Sequence, residues 1–129
     1  MQDRQNISSG AIWEKSVGYS RAVKIGNIVE ISGTVAVEND TVIGKDNAYE
    51  QTRFIIAKIE KYLEPAGAEL KDVVRTRIFT TDISKWEEIG KAHGEFFSNI
   101  RPATTMVEVK ALISPDYIVE IEATAILNS

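Results

Sequence analysis

The strongest constraint on the fold is the alternation of residue types near the C-terminus, in the run IVEIEATAIL at residues 118–127. Successive side chains of a β-strand point to opposite faces of the sheet. One face of this run is entirely apolar and consists of Val119, Ile121, Ala123, Ala125 and Leu127. The other face is mixed and consists of Ile118, Glu120, Glu122 and Thr124. The pattern predicts a strand with helices packed on its apolar face.

Other segments of the chain are also rich in strand signals. Strands are predicted at residues 17–25, 27–32, 34–44, 72–82, 103–112 and 117–127. Gly26-Asn27 is a turn signal between the first two, and Asn39-Asp40 predicts a short hairpin within 34–44.

Two helices are predicted between these strands. The first begins near Asp46, a residue type that suits an N-cap, and ends at Pro65 and Gly67. Its predicted inner face consists of Ala48, Thr52, Ile55, Ile56, Ile59 and Leu63. The second helix follows a capping box formed by Ser84 and Glu87. Its predicted inner face consists of Trp86, Ile89, His93, Phe96, Phe97 and Ile100.

The resulting order of elements, β-β-β-α-β-α-β-β, predicts an α+β fold. Its sheet is predicted to be mostly antiparallel, with the helices on one face. A chain of 129 residues is long enough for one hydrophobic core, so a single domain over residues 1–129 is predicted.

The sheet face away from the helices is predicted to carry charges among aliphatic side chains. Predicted neighbours on this face are Glu30 with Ser32, Arg75 with Arg77, and Glu108 with Lys110. Water could solvate such a face. Burial against another subunit is favoured because aliphatic residues lie near these charges, namely Val107, Val109 and Ile118. We therefore predict an oligomer, with a solvated face as the alternative.

Composition argues against several classes of protein. The absence of cysteine excludes disulfides and thiolate chemistry. A net charge of −4 argues against a sequence-independent grip on phosphate backbones. No apolar run approaches the roughly 20 residues of a membrane span, and MQDRQNISSG lacks the apolar core of a signal peptide. A soluble, cytoplasmic protein that binds neither membrane nor nucleic acid is expected.

Few residues outside the strands suggest chemistry directly. No HExxH, CxxC, P-loop or GxGxxG motif is present, and no metal or organic cofactor is predicted. His93 falls on an apolar helix face, which favours a packed histidine over a metal ligand. Ser32 lies in the segment ISGT, which lacks the strand–elbow–helix context of a hydrolase nucleophile.

Three charged residues have both a functional and a structural interpretation. Glu120 and Glu122 share a strand face about 7 Å apart, so they could supply a general base or could be surface carboxylates. Arg21 is predicted to share a strand face with Tyr19, and it could contact an anion or be a surface charge.

Four segments resemble the RidA (YjgF/YER057c/UK114) family along nearly the whole chain. They are GYSRAVKIGNIVEISGT, AGAELKDVVRTRIFTTDI, RPATTMVEV and VEIEATA, in the order and spacing of that family. The C-terminal signature runs from Pro102-Ala103 through a strand to residues 118–121, and one of its positions fails here. The resemblance implies a chorismate-mutase-like (bacillus-type) fold with a six-stranded sheet, assembled as a homotrimer with a ligand cleft between neighbouring subunits.

The resemblance also implies an activity. Archetypal members hydrolyse reactive enamines and imines, such as 2-aminoacrylate, to 2-keto acids and ammonia. In those members an arginine directly after Pro-Ala binds the substrate carboxylate in a bidentate manner. In those members a tyrosine, a serine and a glutamate line the cleft, and the role that the resemblance implies for the glutamate is to help position the attacking water.

Transferred by position, the implied site residues of this chain are Tyr19, Ser32 and Glu120. Gly33 is implied as a close backbone approach to the ligand. The arginine position is occupied by Thr104, which has neither charge nor reach; Thr34 is a further departure, where glutamine is frequent.

Two arginines could replace the missing guanidinium. Arg21 is one, because it is predicted to lie on the same strand face as Tyr19. Arg101 is the other, three residues before the usual arginine, with a solvent-exposed loop charge or an interface salt bridge as the alternative.

Three functions follow as hypotheses. The first is a hydrolase or deaminase of imines, enamines or related labile metabolites, weak on simple 2-imino acids because Thr104 lacks the charge. The second is a non-catalytic metabolite-binding or regulatory trimer. An endoribonuclease or translation inhibitor is favoured least, because an acidic chain with one histidine and no basic-aromatic platform is poorly suited to RNA.

Overall fold

The computed structural model describes residues 3–128; residues 1, 2 and 129, at the ends of the predicted domain, lie outside it. The strands are β1 (Arg4–Ile7), β2 (Ala22–Ile25), β3 (Ile28–Val35), β4 (Val37–Glu38), β5 (Thr41–Val42), β6 (Val73–Thr80), β7 (Ala103–Glu108) and β8 (Val119–Ile126). The helices are α1 (Ile12–Val17), α2 (Ala48–Leu63) and α3 (Trp86–Phe97). None of these helices has the length and apolar character needed to cross a membrane.

Within residues 3–128, six strands form one sheet in the order β1-β2-β3-β8-β6-β7. Neighbouring strands are antiparallel except β6 and β7, which run parallel. Parallel neighbours need a crossover connection, and α3 supplies it because it lies between β6 and β7 along the chain. The predicted α+β fold with a six-stranded, mostly antiparallel sheet is confirmed.

The hydrophobic core lies between α2 and the apolar face of β8. The predicted inner residues of β8 are at most 1% exposed, namely Val119, Ile121, Ala123 and Ala125. The largest side chains that α2 adds to this core are Ile55, Ile56, Ile59 and Leu63. Burying one side chain of this size contributes roughly 1.5–3 kcal/mol. The alternation that predicted β8 therefore also describes the surface that holds α2 on the sheet.

The start of α2 differs from the prediction by one residue. Asn47 is the N-cap, and its side chain accepts a hydrogen bond from the backbone N–H of Glu50 at 2.9 Å. Asp46 has a φ of 60°, in the left-handed region, so it forms the turn before the cap. The prediction of Asp46 as the cap is wrong because two neighbouring residues of cap type compete, and backbone conformation selects the second.

The predicted capping box of the second helix is also wrong. The Asp82 carboxylate accepts hydrogen bonds from the backbone N–H and the hydroxyl of Ser84, at 3.0 and 2.6 Å. A short 3-10 turn, Ile83–Lys85, then leads into α3. The side chain of Trp86 is 56% exposed and does not belong to the inner face, because it stands at the first position of the helix, outside the core.

The N-terminal quarter departs most from the prediction. The segment predicted as a strand at residues 17–25 contains the end of α1, a left-handed Gly18 with a φ of 89°, and an irregular stretch before β2. Tyr19 and Arg21 lie in that stretch, so they do not share a strand face. β1 was not predicted, and it forms an edge of the sheet by pairing with β2.

The predicted hairpin is present but separate from the main sheet. Asn39 and Asp40 have positive φ values of 50° and 64°, and they form the turn between β4 and β5. In the described part of the chain these two strands pair only with each other. β3 continues to Val35, three residues beyond its predicted end at 32, so Ser32, Gly33 and Thr34 belong to the large sheet.

The mixed face of the sheet is observed, with one correction. Arg77 and Glu122 are paired across it at 3.5 Å, and Thr124 donates a hydrogen bond to Glu30. Glu108, however, is the register partner of Thr80, whose side chain is buried on the helix side. Register partners in paired strands point to the same face of the sheet, so Glu108 lies on the helix side with Thr80. Its prediction on the mixed face is therefore wrong. Burial of this face against another subunit stays a prediction.

Candidate functional site

A β-bulge in β3 forms the centre of the candidate site. Ile31 pairs with Ala123 and Thr34 pairs with Ile121, so two residues of β3, Ser32 and Gly33, stand opposite one residue of β8. Such bulges interrupt the hydrogen-bond ladder and redirect side chains. The Ser32 hydroxyl donates a hydrogen bond to the carbonyl of Ser20 at 2.6 Å, which joins the bulge to the irregular stretch before β2.

The missing side chain of Gly33 provides room for Glu120. A Cβ atom added to Gly33 would lie 3.0 Å from the carboxyl carbon of Glu120 and still nearer to its Oε2. Gly33 does not have a positive φ, so packing and not backbone strain favours glycine here. The bulge and the glycine together place the Glu120 carboxylate against the backbone of β3.

Arg21 contacts the same bulge. Its Nη2 donates a hydrogen bond to the carbonyl oxygen of Gly33. Its Nε is fully buried and has no hydrogen-bond partner among residues 3–128. The Cζ atom of Arg21 lies 6.0 Å from the ring centroid of Tyr19, within the outer range of a cation–π contact. Arg21 is therefore a half-buried cation beside the bulge, and its role as an anion contact stays a prediction.

Glu120 has the electrostatics of a poised acid or base. Its side chain is half-buried, and desolvation raises the pKa of its carboxyl group, with the nearby Glu122 adding to the rise and Arg21 opposing it. None of the hydrogen bonds formed by residues 3–128 reaches this carboxylate. A raised pKa brings the protonated form of this carboxyl group closer to neutral pH than in an ordinary glutamate, and the free hydrogen-bonding capacity leaves it able to donate or accept a proton.

An open cleft of about 310 Å³ lies over Glu120 on the mixed face of the sheet. Gly33 and Glu120 line it together with Phe79, Leu112 and Glu122. Apolar side chains beside a few polar groups are the usual lining of a small-molecule site. Phe79 was not predicted as a site residue, although its place in the alternation of β6 puts it beside Glu120 in the register.

Thr104 lies outside this cleft in the same chain. It is the register partner of Thr76, which is buried on the helix side of β6, whereas Glu120 is the partner of Phe79 on the opposite face. Two strand spacings of about 4.8 Å and three residue steps of about 3.3 Å separate the two positions, or about 14 Å in the plane of the sheet. A single chain cannot place Thr104 and Glu120 around one small substrate.

Arg101 lies near Thr104 and not near Glu120. It follows α3 with a φ of 58°, and its backbone N–H donates a hydrogen bond to the carbonyl of Phe97 at 2.7 Å. Its side chain is exposed and forms no ion pair within residues 3–128. Of the two candidate replacements for the missing arginine, only Arg21 lies beside the bulge.

A chain of three side chains supports Thr104. Its Oγ1 lies 2.8 Å from Oγ1 of Thr76, which lies 2.9 Å from Nε2 of His93. Burial lowers the pKa of His93, whose ring also packs on Phe97 at 4.7 Å between centroids. His93 is a packed helix residue, in line with its predicted role. The hydrogen-bonded chain was missed because its three members are far apart in the sequence.

Comparison with known proteins extends over nearly the whole chain. A solved member of the YjgF/YER057c/UK114 family from Mycobacterium tuberculosis is 50% identical, with a TM-score of 0.89 over 97% of this chain and 100% of that chain. The YjgF gene product of E. coli is 26% identical, with a TM-score of 0.84 over 96% of this chain and 99% of that chain. Both comparisons support the fold described above.

Sequence comparison identifies the family. The 3-aminoacrylate deaminase RutC of Acinetobacter baylyi is 37% identical over 108 residues, which are 83% of this chain and 85% of that protein. Residues 11–127 match the family model described as Endoribonuclease L-PSP. The resemblance read from the four sequence segments is confirmed. The chain belongs to the Endoribonuclease L-PSP family, which includes the YjgF, RidA and RutC proteins.

Proposed function

We propose that this protein is a small-molecule deaminase that hydrolyses an imine, an enamine or a related labile metabolite in clefts between subunits. The observation that carries the proposal is the half-buried Glu120 carboxyl group, held over Gly33 at the bulge with a raised pKa. The similarity to a 3-aminoacrylate deaminase supports the same class of reaction.

The proposed reaction needs one group that moves protons in both directions. An enamine first becomes an imine when its carbon gains a proton and its nitrogen loses one. Water then adds to the imine carbon, and the C–N bond breaks to release ammonia and leave a carbonyl compound. Glu120 would donate the first proton and, as a carboxylate, accept a proton from the attacking water. A raised pKa keeps both forms of Glu120 populated nearer to neutral pH.

Arg21 and Tyr19 are assigned supporting roles in this proposal. Arg21 bears a positive charge beside the bulge and would attract an anionic group of the substrate or the charge that develops on it. Tyr19, exposed by 37% next to Arg21, would cover the open side of the cleft. Ser32 would offer its oxygen to the ligand, although its hydroxyl hydrogen is directed to the carbonyl of Ser20.

A second copy of the chain would complete the cleft. Thr104 and Arg101 lie on another part of the molecule than Glu120, so these residues can act on one ligand only if they come from a neighbouring subunit. The mixed face of the sheet provides a surface for such packing, with exposed aliphatic side chains such as Ile28, Val107 and Ile126. We propose the homotrimer that the family resemblance implies.

Simple 2-imino acids would be poor substrates under this proposal. A bidentate arginine makes two charge-assisted hydrogen bonds to a carboxylate, each contributing roughly 1.5–3 kcal/mol. Thr104 supplies neither, and a loss of about 3 kcal/mol or more lowers binding by at least about 100-fold.

The test is ammonia release from freshly generated 2-aminoacrylate and 3-aminoacrylate, with wild type, Glu120→Gln and Glu30→Gln. Glu30 is the matched control because it is a carboxylate on the same face of the sheet that accepts a hydrogen bond from Thr124 and does not line the cleft. We expect Glu120→Gln to lose activity and Glu30→Gln to keep most of it. Equal activity in all three proteins would refute a role for Glu120.

Two further measurements, made beside ammonia release, separate the other functions. If wild type releases no ammonia while a metabolite remains intact in the cleft, the protein is a binding or regulatory trimer. RNA cleavage that persists in Glu120→Gln and Tyr19→Phe would come from a contaminant and not from this site.

A further inference from the structure

Thr104 has a feature beyond its lack of charge: its only hydroxyl hydrogen is already used inside the protein. Its Oγ1 lies 3.1 Å from the carbonyl oxygen of Pro102 and 2.8 Å from Oγ1 of Thr76. A threonine hydroxyl has one hydrogen to donate and two lone pairs to accept. The question is therefore which of these remains for a ligand.

Both possible directions of hydrogen bonding give the same answer. If Thr104 donates to Pro102, then Thr76 donates to Thr104 and His93 donates to Thr76 through Nε2. If Thr104 instead donates to Thr76, then Thr76 donates to Nε2 of His93. In each case the hydrogen of Thr104 points to a protein atom, and only a lone pair is left for the exposed side of the residue.

The surroundings of Thr104 also favour its role as a hydrogen-bond acceptor. Burial lowers the pKa of His93, so the group at the inner end of the chain is neutral at neutral pH. The two contacts of Oγ1 also fix the rotamer of Thr104, which is otherwise exposed at the edge strand β7. The result is a side chain that offers a ligand only a fixed hydrogen-bond acceptor. A carboxylate, which only accepts hydrogen bonds, gains no hydrogen bond from Thr104 and meets a lone pair.

We propose that Thr104 selects substrates that present an N–H donor, such as a primary carboxamide, at the position where archetypal relatives bind a carboxylate. The substrate class would then be the amides of 2-imino or 2-enamino acids. The inference rests on the proposed function, because Thr104 of one subunit must face the Glu120 cleft of another. For 2-aminoacrylamide the balanced reaction consumes one water and yields pyruvamide and ammonia.

Binding of the two possible products tests the inference without turnover. Pyruvamide and pyruvate differ at one group, and their dissociation constants can be measured by calorimetry or ligand-observed NMR. The variants are Thr104→Val, which keeps the shape and removes the hydroxyl, and Thr105→Val as the matched control. Thr105 is the adjacent exposed threonine, and its hydroxyl oxygen accepts a hydrogen bond from Arg75 at 2.7 Å.

We expect wild type to bind pyruvamide more tightly than pyruvate. Thr104→Val should weaken pyruvamide by about 3- to 10-fold, the usual worth of one net hydrogen bond, and leave pyruvate unchanged. Thr105→Val should change neither, and Thr104→Arg should reverse the preference. The inference would be overturned if wild type bound pyruvate more tightly than pyruvamide, or if it bound neither compound. Loss of tight pyruvate binding in Arg101→Gln would also overturn it.

The two proposals fail in different ways. If Glu120→Gln abolishes ammonia release but the amide preference is absent, the deaminase stands and the role of Thr104 does not. If no ammonia is released but pyruvamide is preferred and Thr104→Val removes that preference, the ligand class stands and the reaction does not.

Discussion

The contact between Gly33 and Glu120 leads to a prediction about the substitution Gly33→Ala. The added Cβ would lie 3.0 Å from the carboxyl carbon and 3.3 Å from the Cγ of Glu120. Ordinary carbon–carbon contacts are about 3.5–4.0 Å. The carboxyl group must therefore move by about 0.5–1 Å, and the open side of the cleft is the direction with room.

The effect on stability should be small and the effect on the site large. Overpacking costs about 1–3 kcal/mol, and the low end applies because the end of the Glu120 side chain can turn away. Replacing a glycine in a strand gains roughly 0.5–1 kcal/mol, which offsets most of that cost. A shift of about 1 Å in a catalytic group can lower the rate about 100-fold.

Urea unfolding measures the change in stability, and ammonia release measures the change in rate. Carboxyl-detected NMR titration of Glu120 reports the movement of its carboxyl group. The carboxyl pKa, raised in wild type, should fall towards its ordinary value of 4.5 as the group becomes hydrated in Gly33→Ala. The control is Gly90→Ala in α3, where the added Cβ meets nothing within 4 Å apart from its chain neighbours and the backbone of its own helix. That variant should gain about 0.5–1 kcal/mol from helix propensity and leave Glu120 unchanged.

An unchanged titration and unchanged activity in Gly33→Ala would refute the reasoning. They would mean that the Glu120 carboxylate does not rest against β3 in solution. Loss of activity would also count against it if Gly33→Ala unfolded at a much lower urea concentration than wild type. The clash would then lie in the backbone.

Three further predictions concern stability and titration. Glu120→Gln should raise the free energy of unfolding at neutral pH. A carboxyl group whose pKa is higher in the folded state than in the unfolded state destabilises the fold once the pH has risen through the range between the two values. Urea unfolding of both proteins checks this. Burial lowers the pKa of His93 below 6.5, so the free energy of unfolding should fall as the pH drops from 6.5 towards the lowered value. The variant His93→Gln should abolish that dependence. His93 is the only histidine, so a single imidazole NMR signal follows its titration. Ile121→Ala should lower the free energy of unfolding by about 2–5 kcal/mol, since Ile121 is fully buried; a smaller loss would mean that the core collapses into the cavity.

Sequence patterns predicted the elements whose two faces differ. β8 was predicted because its apolar and polar residues alternate without exception from Val119 to Ala125, and the structure buries the apolar set. β1 was not predicted because RQNI contains a single buried residue, Ile7, and is held in place by pairing with β2. α1 was missed for the opposite reason. Its one buried side chain is Glu14, while the side chain of Trp13 is 66% exposed, so it has no apolar inner face to recognise.

The candidate site divides in the same way. Gly33 was placed between two predicted strands, whereas the structure continues β3 through it with a bulge, because the pairing with β8 that defines the bulge is not visible in the sequence. The distance between Thr104 and Glu120 could not be predicted, because it depends on the strand order and on the parallel pairing of β6 with β7. Thr76 could not be linked to Thr104 and His93 either, since a register is needed to bring residues 76, 93 and 104 together.

The energetics around the bulge support the assignment of function to it. The ladder between β3 and β8 is interrupted there, and among residues 3–128 the buried Nε of Arg21 has no partner and the desolvated Glu120 carboxyl group has no hydrogen bond. Each of these features costs stability. The surrounding core is fully packed, with Ile31, Thr34 and Ile121 buried beside the bulge. Costs of this kind are retained where a fold serves a ligand or a reaction. The concentration of all three at Gly33 and Glu120, and not elsewhere on the mixed face, is the physical reason to look for chemistry at this point of the sheet.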